Sequence, residues 1–163
     1  MEGENLMKKT LLLMVGPSGA GKSYWAAQFM KKHPESVWVS RDAIRFAMLK
    51  DGEDYFAHED TVFDTFCKNI QEALNQGDTG YVIADATHNN EKSRNLTLNK
   101  LKLENVNVIP VVMHADLRTC LEHNNLRSGR ARVPRKQIER FVRTHEAPEK
   151  DARQYFDIWN VTN

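Results

Sequence analysis

Eight residues near the start of the chain have the types and the spacing that bind phosphate. The stretch GPSGAGKS, residues 16–23, matches the pattern G-x-x-x-x-G-K-[ST] in full. An apolar run precedes it and a helix-compatible run follows it. Glycines let successive backbone N–H groups turn toward phosphate oxygens, and a helix that begins there adds the positive end of its dipole. The stretch, called the phosphate loop below, therefore predicts a site for a nucleoside triphosphate with Mg²⁺.

Each residue of the phosphate loop has a predicted part in that site. The ammonium group of Lys22 reaches the β- and γ-phosphates, and the Ser23 hydroxyl ligates Mg²⁺. We therefore expect Lys22 to act in catalysis as well as in binding. The other residues predicted to bind the nucleotide are Gly16, Pro17, Ser18, Gly19, Ala20 and Gly21.

A second candidate group follows the second predicted strand. In VWVSRDAIR, Asp42 and Arg45 lie three residues apart, so they share one face at the start of a helix. An aspartate near the γ-phosphate can accept a proton from an attacking hydroxyl group. An arginine beside it can hold an anionic acceptor or stabilise charge during transfer. Taken alone, Asp42 could be only a helix cap and Arg45 only a surface charge.

A third group follows the third predicted strand, in YVIADATHNN. Asp85 would lie beside the phosphate loop if the two strands are neighbours, where it could support Mg²⁺ or another catalytic side chain. Thr87, His88 and Asn89 offer hydrogen bonds at the same edge of the sheet. A turn role for Asp85 and a structural role for His88 stay open.

Two charged segments have opposite signs. Residues 118–143, called the lid below, carry seven Arg and one Lys against two Glu. The pattern predicts that the lid is a helix, a flexible basic loop and another helix. Such a segment could close over a nucleotide or bind a nucleic-acid backbone, or it could be a solvated hairpin. Residues 51–64, the acidic segment, hold six acids and no Lys or Arg, and we expect them to form a solvated helix start.

These groups must be positioned by strands and helices that alternate along the chain. Such alternation predicts an α/β fold with a mostly parallel sheet. The predicted strands are 10–15, 37–40, 81–85, 106–113 and 156–161, and the predicted helices are about 22–32, 42–49, 60–76, 91–103, 116–126 and 135–145. Asp116 is expected to cap its helix, and Gly77 to end the long one.

Composition bounds the class of protein. The 163 residues suffice for one domain, and 40% hydrophobic with 28% charged residues is typical of a soluble globular protein. A net charge of +1 gives no global argument for nucleic-acid binding. Cys67 and Cys120 predict neither a zinc site nor a disulfide, and no apolar run approaches the ~20 residues of a membrane span. We expect a cytoplasmic protein without membrane contact, and no sequence feature indicates its oligomeric state.

This sequence resembles the kinase domain of 5′-hydroxyl polynucleotide kinases from bacteriophages and bacterial RNA-repair enzymes. The resemblance rests on the phosphate loop, the residues that follow the second and third strands, and the lid. The likeness runs from about residue 9 to 161. The resemblance implies an adenylate-kinase-like, three-layer P-loop fold with a five-stranded parallel sheet of order 2-3-1-4-5 and a basic helical lid. It also implies that residues 1–163 form one kinase domain.

The resemblance implies roles for the matching residues. Arg41, Asp42 and Arg45 match an R-D-x-x-R-like element, in which Asp42 is the general base and Arg45 contacts the acceptor. Arg127 is carried over as the lid arginine, which binds the nucleotide and acts in catalysis. Two departures are His123, where an arginine is common, and His88, where an asparagine is. The expected acceptor-binding residues are Arg45, Asp85, Thr87, His88, Val133 and Pro134.

Three functions remain open at this point. The first is ATP-dependent transfer of a phosphoryl group to the 5′-hydroxyl end of a nucleic acid, favoured by the basic lid and Arg45. The second is a small-molecule kinase that uses the same phosphate loop and the same base. The near-zero net charge is equally consistent with this function. The third is an NTPase with water as its acceptor. DNA and RNA, and ATP and GTP, are not distinguished.

Overall fold

The structure is a computed structural model that describes residues 9–77, 80–129 and 132–162. The strands are β1 (Lys9–Val15), β2 (Val37–Ser40), β3 (Tyr81–Asp85), β4 (Val106–His114) and β5 (Trp159–Thr162). The helices are α1 (Lys22–Lys32), α2 (Arg41–Met48), α3 (Glu59–Leu74), α4 (Glu91–Leu98), α5 (Leu117–Asn125) and α6 (Arg135–Thr144), and a 3-10 helix spans Pro148–Gln154.

The five strands form one sheet in the order β2-β3-β1-β4-β5, and every neighbouring pair is parallel. In the centre of the sheet, Leu12 of β1 pairs with Ile83 of β3 on one side and with Ile109 of β4 on the other. The fold class and the strand order that the resemblance implied are thus confirmed. Because all strands are parallel, their carboxyl ends meet at one edge of the sheet, where ligands bind in such folds.

The core lies on both faces of the sheet, as the alternation of side chains along β1 requires. Leu11 and Leu13 pack against Phe66 and other residues of α3 on one face. Leu12 and Met14 pack on the other face with residues that include Ala26 of α1, Cys120 of α5 and Ile138 of α6. β1 is thus buried on both faces, which explains its continuous apolar run.

Some element boundaries differ from the predicted ones. α4 ends at Leu98 because Lys100 and Leu101 donate to Thr97 and Leu98 in a turn instead of continuing the helix. β5 begins three residues later than predicted, at Trp159. α3 ends at Leu74 with Asn75 as its C-cap, so the prediction that Gly77 ends this helix is wrong.

The first turns of α2 and α5 are held by side-chain caps. The Ser40 hydroxyl accepts from the backbone N–H of Ala43 (3.1 Å) and caps α2. Asp42 is therefore not the cap of its helix, and its carboxylate is left for another role. Asp116 accepts from the N–H of Thr119 (2.7 Å), which confirms its predicted cap of α5.

No helix within 9–77, 80–129 and 132–162 is long and apolar enough to cross a bilayer. Both cysteines are free thiols inside the core, Cys67 in α3 and Cys120 in α5. Burial raises the pKa of each thiol. They pack as small apolar side chains.

A buried ion pair ties the C-terminal part of the chain to the loop after β3. Arg94 of α4 is fully buried and its guanidinium donates to both carboxylate oxygens of Asp151, at 2.9 and 3.3 Å. Tyr155 donates its hydroxyl to the same carboxylate. Burial opposes ionisation of Asp151, but the hydrogen bonds from Arg94 and Tyr155 outweigh it and lower its pKa. Arg94 also donates to the carbonyl of His88 (3.0 Å), which fixes that loop.

His88 is buried in the core, so the expectation that its side chain contacts an acceptor is wrong. Its backbone is left-handed (φ +43°) and the residue is only 3% exposed. Nδ1–H donates to the carbonyl of Met14 (2.8 Å), and Nε2 accepts from the hydroxyl of Thr97 (3.0 Å). Both ring nitrogens are therefore occupied inside the core. Burial of the ring lowers the pKa of His88 to about 3.

This lowered pKa predicts how stability depends on pH. Between the folded pKa of about 3 and the unfolded value near 6.5, the unfolded chain binds one more proton at His88. The free energy of unfolding therefore falls as the pH falls through this window, by up to about 1.4 kcal/mol per pH unit. We expect His88→Asn to flatten this slope between about pH 6 and pH 5. Urea unfolding at several pH values measures it.

His114→Asn is the control, because the His114 side chain is exposed. It should leave the wild-type slope intact, although it removes a histidine as well. Equal slopes for wild type and His88→Asn would show that His88 is not held neutral in the folded protein.

Candidate active site

An open cleft of about 1260 Å³ lies at the carboxyl edge of the sheet. Ligand pockets in proteins usually measure roughly 300–1000 Å³, so this cleft is larger than most of them. Its walls come from the phosphate loop, α2, the loop after β3 and the lid. Among the predicted site residues it brings together Pro17, Ser18, Gly19, Lys22, Ser23, Asp42, Arg45, Asp85, Thr87, Arg127 and Val133.

The phosphate loop connects β1 to α1 and is shaped to receive an anion. Gly21, with φ +99°, precedes α1, whose first turn has no side-chain cap and no acidic residue. The N-terminal N–H groups and the positive end of the helix dipole therefore remain for a ligand. Nζ of Lys22 donates to the carbonyls of Gly16 (2.7 Å) and Pro17 (3.0 Å). Burial lowers the pKa of Lys22, against the carboxylates of Asp85 and Asp42.

The phosphate loop is also in direct contact with the lid. A Cβ on Gly19 would lie 2.2 Å from the carbonyl oxygen of Cys120, so α5 packs against the bare backbone of the loop. Nδ1 of His123 donates to the carbonyl of Gly19 (2.8 Å). His123, which stands where the resemblance led us to expect an arginine, thus joins α5 to the loop. The sequence carries no local signal for this contact between residues 104 positions apart.

Asp85 lies at the floor of the cleft and Thr87 at its rim. The β1–β3 register pairs Leu13 with Ala84, which puts Asp85 beside the phosphate loop as expected for neighbouring strands. Trp38 donates its indole N–H to Oδ2 of Asp85 (3.0 Å). Burial raises the pKa of Asp85, whereas the charge of Lys22 lowers it. Thr87 is exposed to the cleft, and its carbonyl accepts from the N–H of Gly16 (3.0 Å).

The oxygen donors near the phosphate loop fit a magnesium ion that arrives with a nucleotide. The Ser23 side chain is exposed in the cleft, and Asp85 lies at its floor. Over the described ranges, no group of three or more His, Cys, Asp or Glu side chains could hold a metal by itself. Mg²⁺ commonly takes one or two protein oxygens together with phosphates and water, so the chain does not need such a cluster.

Asp42 and Arg45 meet in the cleft, but Arg45 is committed to protein partners. Nη1 of Arg45 donates to Oδ1 of Asp42, and its other nitrogens donate to both carboxylate oxygens of Glu59, each at 2.7 Å. Burial would lower the pKa of Arg45, but the hydrogen bonds that Arg45 donates to Glu59 outweigh burial and raise the pKa. With 5% exposure, Arg45 supports Asp42 directly in this arrangement instead of offering a free charge to an acceptor.

Sequence reasoning missed Tyr55 and Glu59 at this site. Tyr55 donates its hydroxyl to Oδ1 of Asp42 (2.8 Å), and Glu59 also accepts from Arg41 (3.2 Å). Both residues belong to the acidic segment, which we expected to be a solvated helix start. The available signal was the two arginines of R-D-x-x-R, since a buried arginine requires a carboxylate partner.

The lid supplies the remaining wall of the cleft. Arg127 is half-buried and lines the cleft beside Val133. Asn124, 2% exposed, donates to the carbonyl of Val133 (2.7 Å) and accepts from its N–H (2.9 Å), which fixes this turn of the lid. Arg132 donates to the carbonyls of Arg127 and Asn125 and so closes the lid loop on itself.

Other parts of the lid lie differently from the expectation. Pro134 is exposed and does not line the cleft. Arg130 and Ala131 lie outside the described residues. The α6 residues that line the cleft were not predicted, and they are Gln137, Ile138, Arg140, Phe141 and Thr144.

Taken together, the parallel sheet of order β2-β3-β1-β4-β5 and the phosphate loop after β1 define a P-loop kinase-like fold. The family model described as "AAA domain" matches residues 11–148, and the chain belongs to that family. A comparison with curated proteins finds no match.

Solved structures share the fold at low sequence identity. A protein of the Pnkp1/Rnl/Hen1 RNA repair complex is 22% identical with a TM-score of 0.72, over 88% of this chain and 46% of that one. A fungal RNA kinase is 10% identical with a TM-score of 0.64, over 94% and 74%. A gluconokinase from Sinorhizobium meliloti 1021 is 13% identical with a TM-score of 0.59, over 96% and 83%. These likenesses show the fold alone, and the chain spans less than half of the RNA-repair protein.

The contact between α5 and the phosphate loop predicts the effect of one methyl group. Gly19→Ala places its Cβ against the Cys120 carbonyl and strains a backbone at φ +85°. We expect α5 to be displaced, the melting temperature to fall and nucleotide affinity to drop about tenfold or more, since the loop N–H groups shift. Thermal unfolding and titration with a fluorescent ATP analogue measure both effects.

Gly52→Ala is the matched control, because Gly52 has φ +83° but no atom within 4 Å of an added Cβ. It carries the same backbone strain, about 1–2 kcal/mol, without the clash. Equal losses of stability and affinity in the two variants would contradict the contact.

Proposed function

We propose that the chain is an ATP-dependent kinase that transfers the γ-phosphoryl group to the 5′-hydroxyl end of a polynucleotide, with residues 1–163 acting as one kinase domain. The observation that carries the proposal is the cleft itself. It contains the phosphate loop and Asp42, an aspartate that does not cap its helix, and one of its walls is the basic helix α6. Such a cleft suits a donor and an extended, anionic acceptor. The free, buried thiols suit a reducing cytoplasm, where we propose that the protein acts.

The donor half of the reaction is assigned to the phosphate loop. Its N–H groups and the start of α1 bind the phosphates, and Lys22 exchanges its contacts with the Gly16 and Pro17 carbonyls for phosphate oxygens. Ser23 would hold Mg²⁺, with Asp85 in support. When bound, the ion neutralises part of the charge of the phosphates.

Asp42 is assigned as the general base of the transfer. It accepts the proton of the acceptor hydroxyl, whose oxygen forms a bond to the γ-phosphorus as the bond to the ADP oxygen breaks. Its side chain is 41% exposed, so an acceptor can reach it from the cleft. Arg127 of the lid is assigned to stabilise negative charge on the phosphoryl group during transfer.

The polymeric nature of the acceptor is inferred from α6. Lys136, Arg140 and Arg143 are exposed, and none has an ion-pair partner within the described parts of the chain. Arg140 also lines the cleft. Free cations that continue from the cleft along one helix suit the successive phosphates of a nucleic acid. The RNA kinase and the RNA-repair protein that share this fold support the same acceptor class.

A small-molecule kinase is the second candidate, and the acceptor side of the cleft gives a reason for it. Arg45 is buried and paired with Asp42 and Glu59, so it is not free to hold an acceptor phosphate. Tyr55 and Glu59 of the acidic segment line the same region. An uncharged acceptor with several hydroxyl groups suits such a wall, and the gluconokinase shares the fold.

The proposal predicts end-labelling of an oligonucleotide and its dependence on Asp42. With radiolabelled ATP and Mg²⁺, the wild type should label a 5′-hydroxyl oligonucleotide and not its 5′-phosphorylated form. Asp42→Asn should reduce kcat by about 10²-fold or more, because the general base is lost, while ATP affinity stays nearly intact. Lys22→Ala, the control for the donor site, should lose both ATP binding and transfer.

Three results would overturn one assignment each. Labelling of a polyol or an antibiotic, with no oligonucleotide labelled, would establish the second candidate. Release of phosphate with no labelled acceptor would make the chain an NTPase. Wild-type turnover in Asp42→Asn would remove the general base from Asp42.

The α6 cations predict a salt dependence for a polymeric acceptor. Two phosphate contacts with a single strand should raise the acceptor KM about sevenfold between about 50 and 200 mM salt, through counterion release. Arg140→Ala should weaken that dependence by about one contact, because Arg140 is exposed and lines the cleft. The acceptor KM at saturating ATP, measured across this salt range, provides the test.

Arg118→Ala serves as the control, because Arg118 is exposed on α5, pairs with Glu122 and does not line the cleft. It should keep the salt dependence of the wild type. A KM that does not change with salt would argue against a polyanionic acceptor.

A further inference from the structure

The same three side-chain types form two clusters in this chain. In the buried cluster, Asp151 accepts hydrogen bonds from Arg94 and from the hydroxyl of Tyr155. In the cleft, Asp42 accepts from Arg45 and from the hydroxyl of Tyr55. Only the second cluster lines the cleft, so the same hydrogen bond can be removed at either place and the consequences compared.

In the cleft cluster, both donors reach the same oxygen of the carboxylate. Nη1 of Arg45 and the hydroxyl of Tyr55 both donate to Oδ1 of Asp42. Oδ2 has no hydrogen-bond partner within the described residues. A general base needs a free lone pair, and this arrangement leaves one whole oxygen to receive a proton.

The direction of the Tyr55 hydrogen bond follows from its neighbours. Nη1 of Arg45 donates to the hydroxyl oxygen of Tyr55 (2.9 Å), and a guanidinium group can only donate. The proton of Tyr55 is therefore directed to Asp42, at 2.8 Å. Burial and the neighbouring carboxylate of Asp42 raise the pKa of Tyr55, against the charge of Arg45, so the hydroxyl keeps its proton at neutral pH.

The ring of Tyr55 is itself held in place. The guanidinium carbon of Arg45 lies 4.4 Å from the centre of the ring, and Phe56 packs edge-on against the ring with 4.7 Å between the ring centres. Arg45 is fixed in turn by its two hydrogen bonds with Glu59. These contacts hold the hydroxyl of Tyr55 next to Asp42 without a bound substrate.

We propose that Tyr55 is a positioning residue: its hydroxyl holds Oδ1 of Asp42, so that Oδ2 stays directed to the acceptor hydroxyl. This inference rests on the proposed role of Asp42 as the general base. Tyr55 takes no proton and touches no reacting atom. Its loss leaves Arg45 as the one donor to Oδ1, and the carboxylate can then rotate away from the reactive orientation.

Tyr55→Phe in the full chain tests the proposal. We expect kcat for phosphorylation of a 5′-hydroxyl oligonucleotide to fall about tenfold, because a hydrogen bond to a charged group is lost at a catalytic carboxylate. The KM values for the acceptor and for ATP should change less than about twofold, since Tyr55 makes no substrate contact in this proposal. A crystal structure of the wild type should show the Asp42 carboxylate in one orientation, and a crystal structure of the variant should show it in more than one.

Tyr155→Phe is the matched control. It removes a tyrosine–aspartate hydrogen bond of the same kind from the buried cluster, where Asp151 keeps Arg94. It should lower the melting temperature and leave kcat per folded molecule at the wild-type value. If the Tyr55 hydrogen bond contributed only to stability, Tyr55→Phe would also lower the melting temperature and leave kcat unchanged.

The outcomes separate this inference from the proposed function. Unchanged kcat in Tyr55→Phe, with an active wild type, overturns the role of Tyr55 and leaves the kinase intact. If the wild type labels no oligonucleotide, the polynucleotide acceptor fails, and the Asp42 orientation in the two crystal structures decides the inference. One unchanged orientation then overturns it, and several support it.

Discussion

The parallel pairing of β1 with β3 and β4 is the constraint on which the site depends. Parallel strands end at one edge, so the loops after β1, β2 and β3 arrive side by side although they are far apart in sequence. The phosphate loop follows β1, Asp42 follows β2 and Asp85 follows β3. A one-residue slip of β1 would exchange its two buried faces and disrupt both halves of the core.

The buried polar groups behind the cleft connect one of its walls to the core. His88 connects the end of β1 to Thr97 of α4, and Arg94 connects the same loop to Asp151. These groups are costly to bury unless each has a partner, and the partners come from separate segments. The network therefore holds Thr87 at the rim of the cleft through contacts with the core.

The cleft concentrates opposite charges in a small, partly desolvated volume. Asp85 and Asp42 act on Lys22, while Glu59 and Asp42 compensate the buried Arg45. Each charge alone would be costly there, and together they are held in defined orientations. Such an arrangement suits a reaction in which a phosphate charge enters, moves and leaves.

The sequence alone determined the phosphate loop and most of the helices and strands, because both depend on patterns among neighbouring residues. Glycine spacing, apolar alternation and the Asp116 cap are local signals, and the structure confirms the order of the elements and this cap. Contacts between distant segments had no such signal. Tyr55 lies 13 residues from Asp42, Glu59 lies 14 residues from Arg45, and His123 lies 104 residues from Gly19.

Only the tertiary structure decided which polar side chains face the cleft and which are used up inside the protein. His88 and Arg45 have the types that bind an acceptor, but the first is buried in the core and the second is paired with Glu59. The physical reason is that burying a polar group is costly unless it has a hydrogen-bond partner. That partner is set by the packing of strands and helices, which residue types and spacing do not encode locally.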